Sequence, residues 1–254
     1  MRRTALVFAM LAAGCGAELD DGGNIGGSTI DAPPGTQGTI DAPPGVTVDA
    51  APDAPACFNG RVVYLNFDGQ ALTQGASDAT LNRASWMQTA SGTAPPYRNG
   101  DANRAAQIMS ITTMIREQLS GFPITVVTTR PAQGPYVMVV FGGTAAQVGS
   151  RFGAAVNALD CGDTAKSDVA WIADTVTGQR AANFAIGAIG FGLGLTATTN
   201  PNDCMCGWDN QCTSNNNAAC TLTPGIARDP AANQRCAGLT TQDEVQTFRQ
   251  AFCQ

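Results

Sequence analysis

From Phe184 to Ala197 the chain carries no charge, and Gly187, Gly190, Gly192 and Gly194 fall within that run. An interior glycine costs a helix about 1 kcal/mol relative to alanine. The run "AANFAIGAIGFGLGL" (Ala181–Leu195) can therefore be helical only if packing on several sides holds it. It is too short to cross a bilayer, which takes about 20 apolar residues. Its G-x-G-x-G spacing lacks the last interval of a dinucleotide-binding turn, and no acidic ribose partner follows. The remaining reading is a helix buried inside a globular domain.

The chain around it has 254 residues, 44% of them hydrophobic, and a net charge of −6. With only 14 lysines and arginines, it lacks the clustered cations that phosphate contacts need, which argues against nucleic acid. No basic run suits a membrane surface. Histidine is absent altogether, removing the usual neutral-pH proton shuttle and the commonest metal ligand.

The first 15 residues read as a targeting segment. Met1, Arg2 and Arg3 precede the apolar "TALVFAMLAA", and the stretch closes on "LAAGC" at Cys15. This end resembles the lipobox of bacterial lipoproteins, which implies acylation of Cys15 and a lipid anchor. An ordinary secretory signal with an incidental cysteine is the alternative. Residues 16–56 contain "TIDAPPG" twice and almost no large apolar side chains, and they read as a disordered tether. The folded domain is expected over 57–254. Eight cysteines remain there: Cys57, Cys161, Cys204, Cys206, Cys212, Cys220, Cys236 and Cys253. In an exported chain an even set predicts up to four disulfides, with connectivity open. Cys204 and Cys206 could also suggest a thiolate metal site, although Cys-Met-Cys is not a zinc-knuckle spacing.

Patterning predicts strands over Arg61–Phe67, Pro123–Thr129, Tyr136–Phe141 and Asp168–Ile172. Asp101 is placed to cap a helix whose stripe is Ala105, Ile108, Ile111, Met114 or Ile115, and Leu119. Thr241 and Glu244 have capping-box spacing ahead of a terminal helix. The order is strand, helix, strands, buried helix, cysteine-rich loop and terminal helix, an α/β (α+β) arrangement.

On these residues the domain resembles a metzincin of the matrixin-like kind, from about Arg61 to the C-terminus. That family carries H-E-x-x-H-x-x-G-x-x-H followed by a methionine turn. Gly194 falls on the pattern's glycine, with Leu195 beside it, and "TTNPNDCM" leads to Met205 at the methionine position. The resemblance implies a mixed sheet, an active-site-type helix and a cleft in which extended substrate lies along an edge strand. The zinc ligands are replaced by Gly187, Phe191 and Ala197, and the catalytic glutamate by Ala188. Zinc catalysis needs three protein ligands and a base, so the family's reaction is excluded and no cofactor is expected. Gly187, Phe191 and Ala197 are expected to face one small volume above Met205, with Phe191 filling part of it. The function so implied is that of an inactive metzincin-like lipoprotein binding a peptide, a protein or an envelope component. The alternative is a hydrolase using carboxylates or a non-histidine metal site in the same cleft. For that alternative Asp68, Asp160, Asp163 and Asp174 are the available acids, and Asn200, Asn202, Asp203, Asp209 and Asn210 the available oxygens for calcium, although turn formation is the simpler role for these five.

Overall fold

The structure is a computed structural model describing residues 60–208, 210–232 and 234–253. The expected signal with Cys15, the tether, Cys57 and Asp209 lie outside the described residues.

The chain opens with β1 (Val62–Asn66) and then forms a small sheet from β2 (Gln70–Gln74), β3 (Arg83–Ala84) and β4 (Ser91–Ala94). Helix α1 (Arg104–Gln118) leads to β5 (Thr125–Val127) and β6 (Tyr136–Phe141). A short helix α2 (Ala145–Val148), strands β7 (Ala155–Val156) and β8 (Val169–Ile172), and helix α3 (Gly178–Gly192) follow. After a cysteine-rich loop, β9 (Ile226–Ala227) pairs with β10 (Thr241–Gln242), and α4 (Glu244–Phe252) comes last.

The main sheet has the order β5-β1-β6-β8-β7. Its first four strands run parallel, and β7 lies antiparallel to β8 at the edge. Parallel strands are covered on both faces, which is why β6 and β8 are apolar throughout and every residue of both is buried. Helix α3 packs on β8 and β6 and against α1. The architecture is mixed α/β.

Helix α3 starts and stops three residues earlier than the apolar run suggests. Its end is set by Gly194, whose φ of +87° only glycine adopts without strain. The Gly194 N–H donates to Phe191 O and the Leu195 N–H to Gly190 O, the paired bonds of a Schellman cap. In α1 the buried stripe is Ile111, Ile115 and Leu119, joined by Thr112, whereas Ala105 is exposed. Asp101 acts one turn early: its carboxylate accepts from Asn103 N, and Asn103 is the N-cap residue. The Thr241–Glu244 capping box does not form. Asp243 caps α4 by accepting from Gln246 N, while Glu244 turns inward and is fully buried.

Disulfides Cys204–Cys220 and Cys206–Cys212 staple the loop after α3, and Cys161–Cys236 ties the β7–β8 connection to the β9–β10 connection. Cys204 and Cys206 are thus in separate bridges, which removes the thiolate metal reading. Cys253 is disulfide-bonded as well. Such bridges fit a protein exported to an oxidising compartment. Among the described residues no helix is long and apolar enough to cross a membrane.

Cys204–Cys220 closes a loop of 16 residues. Replacing both cysteines with alanine should cost about 3 kcal/mol by the chain-entropy relation. Denaturant unfolding of the oxidised protein measures this, and a loss below about 1 kcal/mol would mean the loop is held by other contacts.

Candidate functional site

The C-terminal half of α3 is where the sequence places Gly187, Ala188 and Phe191, and its surroundings come from the cysteine-rich loop. A Cβ added to Gly187 would fall 2.0 Å from Nε1 of Trp208 and 2.6 Å from the Cys204 carbonyl oxygen. Glycine is required there because an indole occupies the space a side chain would need. Phe191, only 8% exposed, lies against the same indole with ring centroids 5.5 Å apart. Ala188 is fully buried, and its carbonyl accepts from Nδ2 of Asn157. Ala197 is fully buried too, and its carbonyl accepts from Asp229 N. The aromatic seated on Gly187 is Trp208, which the sequence reading did not single out. It follows the methionine by three positions, and nothing in local patterning marks a residue whose role is made by tertiary approach.

Met205 is fully buried beneath the helix, and a Cβ at Gly190 would meet its Sδ at 2.8 Å. The turn that delivers it is built around the buried Asp203. That carboxylate accepts from Met205 N and Thr198 Oγ1 through one oxygen and from Thr223 Oγ1 through the other. Glu244 lies beside it and accepts from Thr223 N and Gln242 Nε2. Burial first, then the neighbouring Asp203 charge, raises the Glu244 carboxyl well above its ordinary range.

Two adjoining hollows of about 590 Å³ and 460 Å³ run along the outer side of β7. Ala155, Phe152 and Trp208 line both, and Phe191 lines the larger. Strand β7 has β8 on one side and, among the described residues, no strand on the other. Ala173 N donates to Ala154 O, so by antiparallel alternation Ala155 turns its own N–H and C=O away from β8, toward the groove. The groove therefore combines an aromatic floor with a free strand edge.

The remaining candidates are elsewhere. Asp68 pairs with Arg104, and Asp174 accepts from Arg98 N. Asn200 accepts from Asn202 N, Asn202 from Asn215 Nδ2, and Asn210 donates to Thr198 O, so these oxygens and amides shape turns. Asp160, Asp163 and Asp168 do come together near the end of α3, with ligand atoms within 4.8 Å of one another. Asp163 is held by both terminal nitrogens of buried Arg61 and by Lys166, and Asp160 accepts from Thr164 Oγ1 and Ala165 N. Asp168 is 1% exposed and neither of its oxygens has a hydrogen-bond partner among the described residues. Burial, then the Asp160 charge, pushes its carboxyl up to about 8.

A raised carboxyl favours the neutral form in the folded chain. Its contribution is fully present below the ordinary carboxyl range and is lost as pH rises through about 8. Asp168→Asn, which keeps the shape without the charge, should therefore lose less stability than the native chain between pH 5 and pH 9. Urea midpoints across that range test this, and parallel curves would sink it. Gly187→Ala should cost about 1–3 kcal/mol by overpacking. Adding Trp208→Ala should remove the share of that penalty that the indole imposes, the Cys204 carbonyl still crowding the new methyl, so the two changes are non-additive in a double-mutant cycle. Simple additivity would mean the indole does not occupy that space.

No protein-family model, no curated protein and no solved structure matches this chain.

Proposed function

We propose that this is an exported, catalytically inactive metzincin-like domain, lipid-anchored through Cys15, that binds an extended peptide by strand addition along β7. The observation that carries the reading is the groove itself, open along a free strand edge and floored by Phe191 and Trp208. Strand addition draws affinity from main-chain hydrogen bonds and specificity from pockets for alternate side chains. Ala155 supplies the first, and the two hollows on either side of Trp208 supply the second.

Support for the metzincin resemblance comes from the order of elements, the Gly194 cap at the end of α3 and the burial of Met205 under that helix. At the positions where the family holds zinc, this chain offers glycine, phenylalanine and alanine, with an indole against the glycine. None of these donates to a metal. A hydrolase working through carboxylates in the same cleft has little to draw on, since no aspartate or glutamate lines either hollow among the described residues.

Calorimetric titration of the full chain with extended octapeptides tests the proposal. Binding is expected, and peptides N-methylated at alternate residues should bind at least tenfold more weakly, because each methyl removes a ladder donor. Equal binding of methylated and unmethylated peptides would exclude strand addition. Stoichiometric zinc in the purified protein, with chelator-sensitive peptide hydrolysis, would overturn the inactive reading.

A further inference from the structure

Away from the groove, the β7–β8 connection brings three carboxylates to the C-terminal end of α3. One oxygen each from Asp160, Asp163 and Asp168 lies within 4.8 Å of the others. Asp168 is the innermost, at 1% exposure, and stands immediately before β8. Its side chain points at the last turn of α3, where a Cβ added to Gly192 would fall 2.6 Å from its Oδ2. The C-terminal end of a helix is the negative pole of the backbone dipole, and its field favours a cation over a carboxylate. The ion pairs that oppose these acids among the described residues, from Arg61 and Lys166, both fall on Asp163. Each carboxylate oxygen has about two acceptor directions. Asp160 uses one at each oxygen, for Thr164 Oγ1 and Ala165 N. Asp163 accepts from Arg61 at both oxygens and from Lys166 at Oδ2 as well, which leaves a direction free at Oδ1. Asp168 uses none, since neither of its oxygens has a hydrogen-bond partner among the described residues. Buried polar atoms in folded chains are almost always partnered, by protein, by ordered water or by an ion. Two unpartnered oxygens on one buried carboxylate, with two further acids in reach, select the ion.

We propose that Asp160, Asp163 and Asp168 bind a divalent cation of calcium's size. The donors are all oxygen, which suits a hard cation. Calcium takes its oxygens at about 2.3–2.6 Å, so ligands on opposite sides of one ion stand about 4.6–5.2 Å apart. A set of carboxylate oxygens within 4.8 Å of one another can therefore close around a single ion. Magnesium demands a near-ideal octahedron at about 2.0–2.1 Å, whereas calcium accepts irregular sets such as one built on a carboxylate already held by arginine. Asp160 is half-buried, and Gly162 and Thr164 beside it are exposed, so the ion has a way in from solvent and room for water ligands. Its effect is on the end of α3, because Asp160 N already donates to the carbonyl of Phe191. An ion on Asp160 and Asp168 ties the β7–β8 connection at both its ends to the helix that carries the groove's floor.

The full chain, stripped with a chelator and held at about pH 8.5, where protons compete least for carboxylates, is titrated with calcium chloride and with magnesium chloride by calorimetry. One calcium per chain should bind, about tenfold more tightly than magnesium. Calcium at about 100 times its Kd should raise Tm by roughly 5–10 °C. Asp168→Asn should abolish binding and Asp160→Asn should weaken it about tenfold, because affinity follows the charge of the ligand set. Asp68→Asn, at an exposed acid paired with Arg104, should bind calcium as the native chain does. A melting curve checks that each variant is folded, and the half-buried Asp160 carries the test if Asp168→Asn is not. The rival occupant is an ordered water on Asp168 and on Arg61 Nε, which is likewise buried and unpartnered among the described residues. No heat and no melting shift with calcium would assign the place to that water and overturn the inference. So would binding undiminished in the Asp168 or Asp160 variant, or magnesium bound as tightly as calcium. None of these results touches strand addition at the groove.

Discussion

The close approach of the Trp208 indole to the bare Cα of Gly187 is the contact on which the arrangement of this domain turns. It joins the central helix to the disulfide-stapled loop and sets the floor of the groove. It also explains a composition that looks unfavourable for a helix. Glycines that weaken α3 locally let neighbours pack closer than side chains would allow, and the lost helix propensity is offset by burial from Ala181 to Gly192 on nearly every side. Past the exposed Arg180 of its first turn, nearly every residue from Phe184 to Ala197 is buried, which leaves nowhere to place a charge and is why that run is neutral.

The acids beneath this helix show how much a buried carboxylate can organise. Asp203 satisfies three donors from three segments, so the turn that carries Met205 is specified by hydrogen bonds rather than by apolar packing alone. Arg61 and Asp163 do the same between the first strand and the β7–β8 connection, with both members of the pair almost wholly buried. Pairs of this kind add more to uniqueness than to stability, because desolvation consumes most of the Coulomb gain.

Elements that rest on strong periodicity were legible in the sequence. The apolar blocks of β6 and β8, the stripe of α1 and the glycine-rich α3 all lie within a few residues of where patterning puts them. The edge strand β7 and the small β2–β4 sheet were not. Two strands there have only two residues each, too short for alternation to register, and their pairing is decided by the neighbouring chain. Glu244 has the spacing of a cap, yet Thr223 N and Gln242 compete for its oxygens and draw it inward. The floor of the groove was half visible: Phe191 stood out by its position in the helix, whereas Trp208 gains its place only once the loop has folded back.

That loop carries its tryptophan between Cys206 and Cys212, bridged across six residues of chain. The ring so closed is small, and the indole that floors the groove hangs from it. A thiol-reducing cytoplasm would leave this ring open, and Trp208 would then be seated by side-chain packing alone. The two halves of the groove's floor thus differ in kind: Phe191 is placed by the helix that carries it, whereas Trp208 hangs from a ring that only an oxidising compartment closes. The redox state of the surroundings is thus coupled, through the covalent chemistry of one loop, to how firmly a single indole is held against the helix.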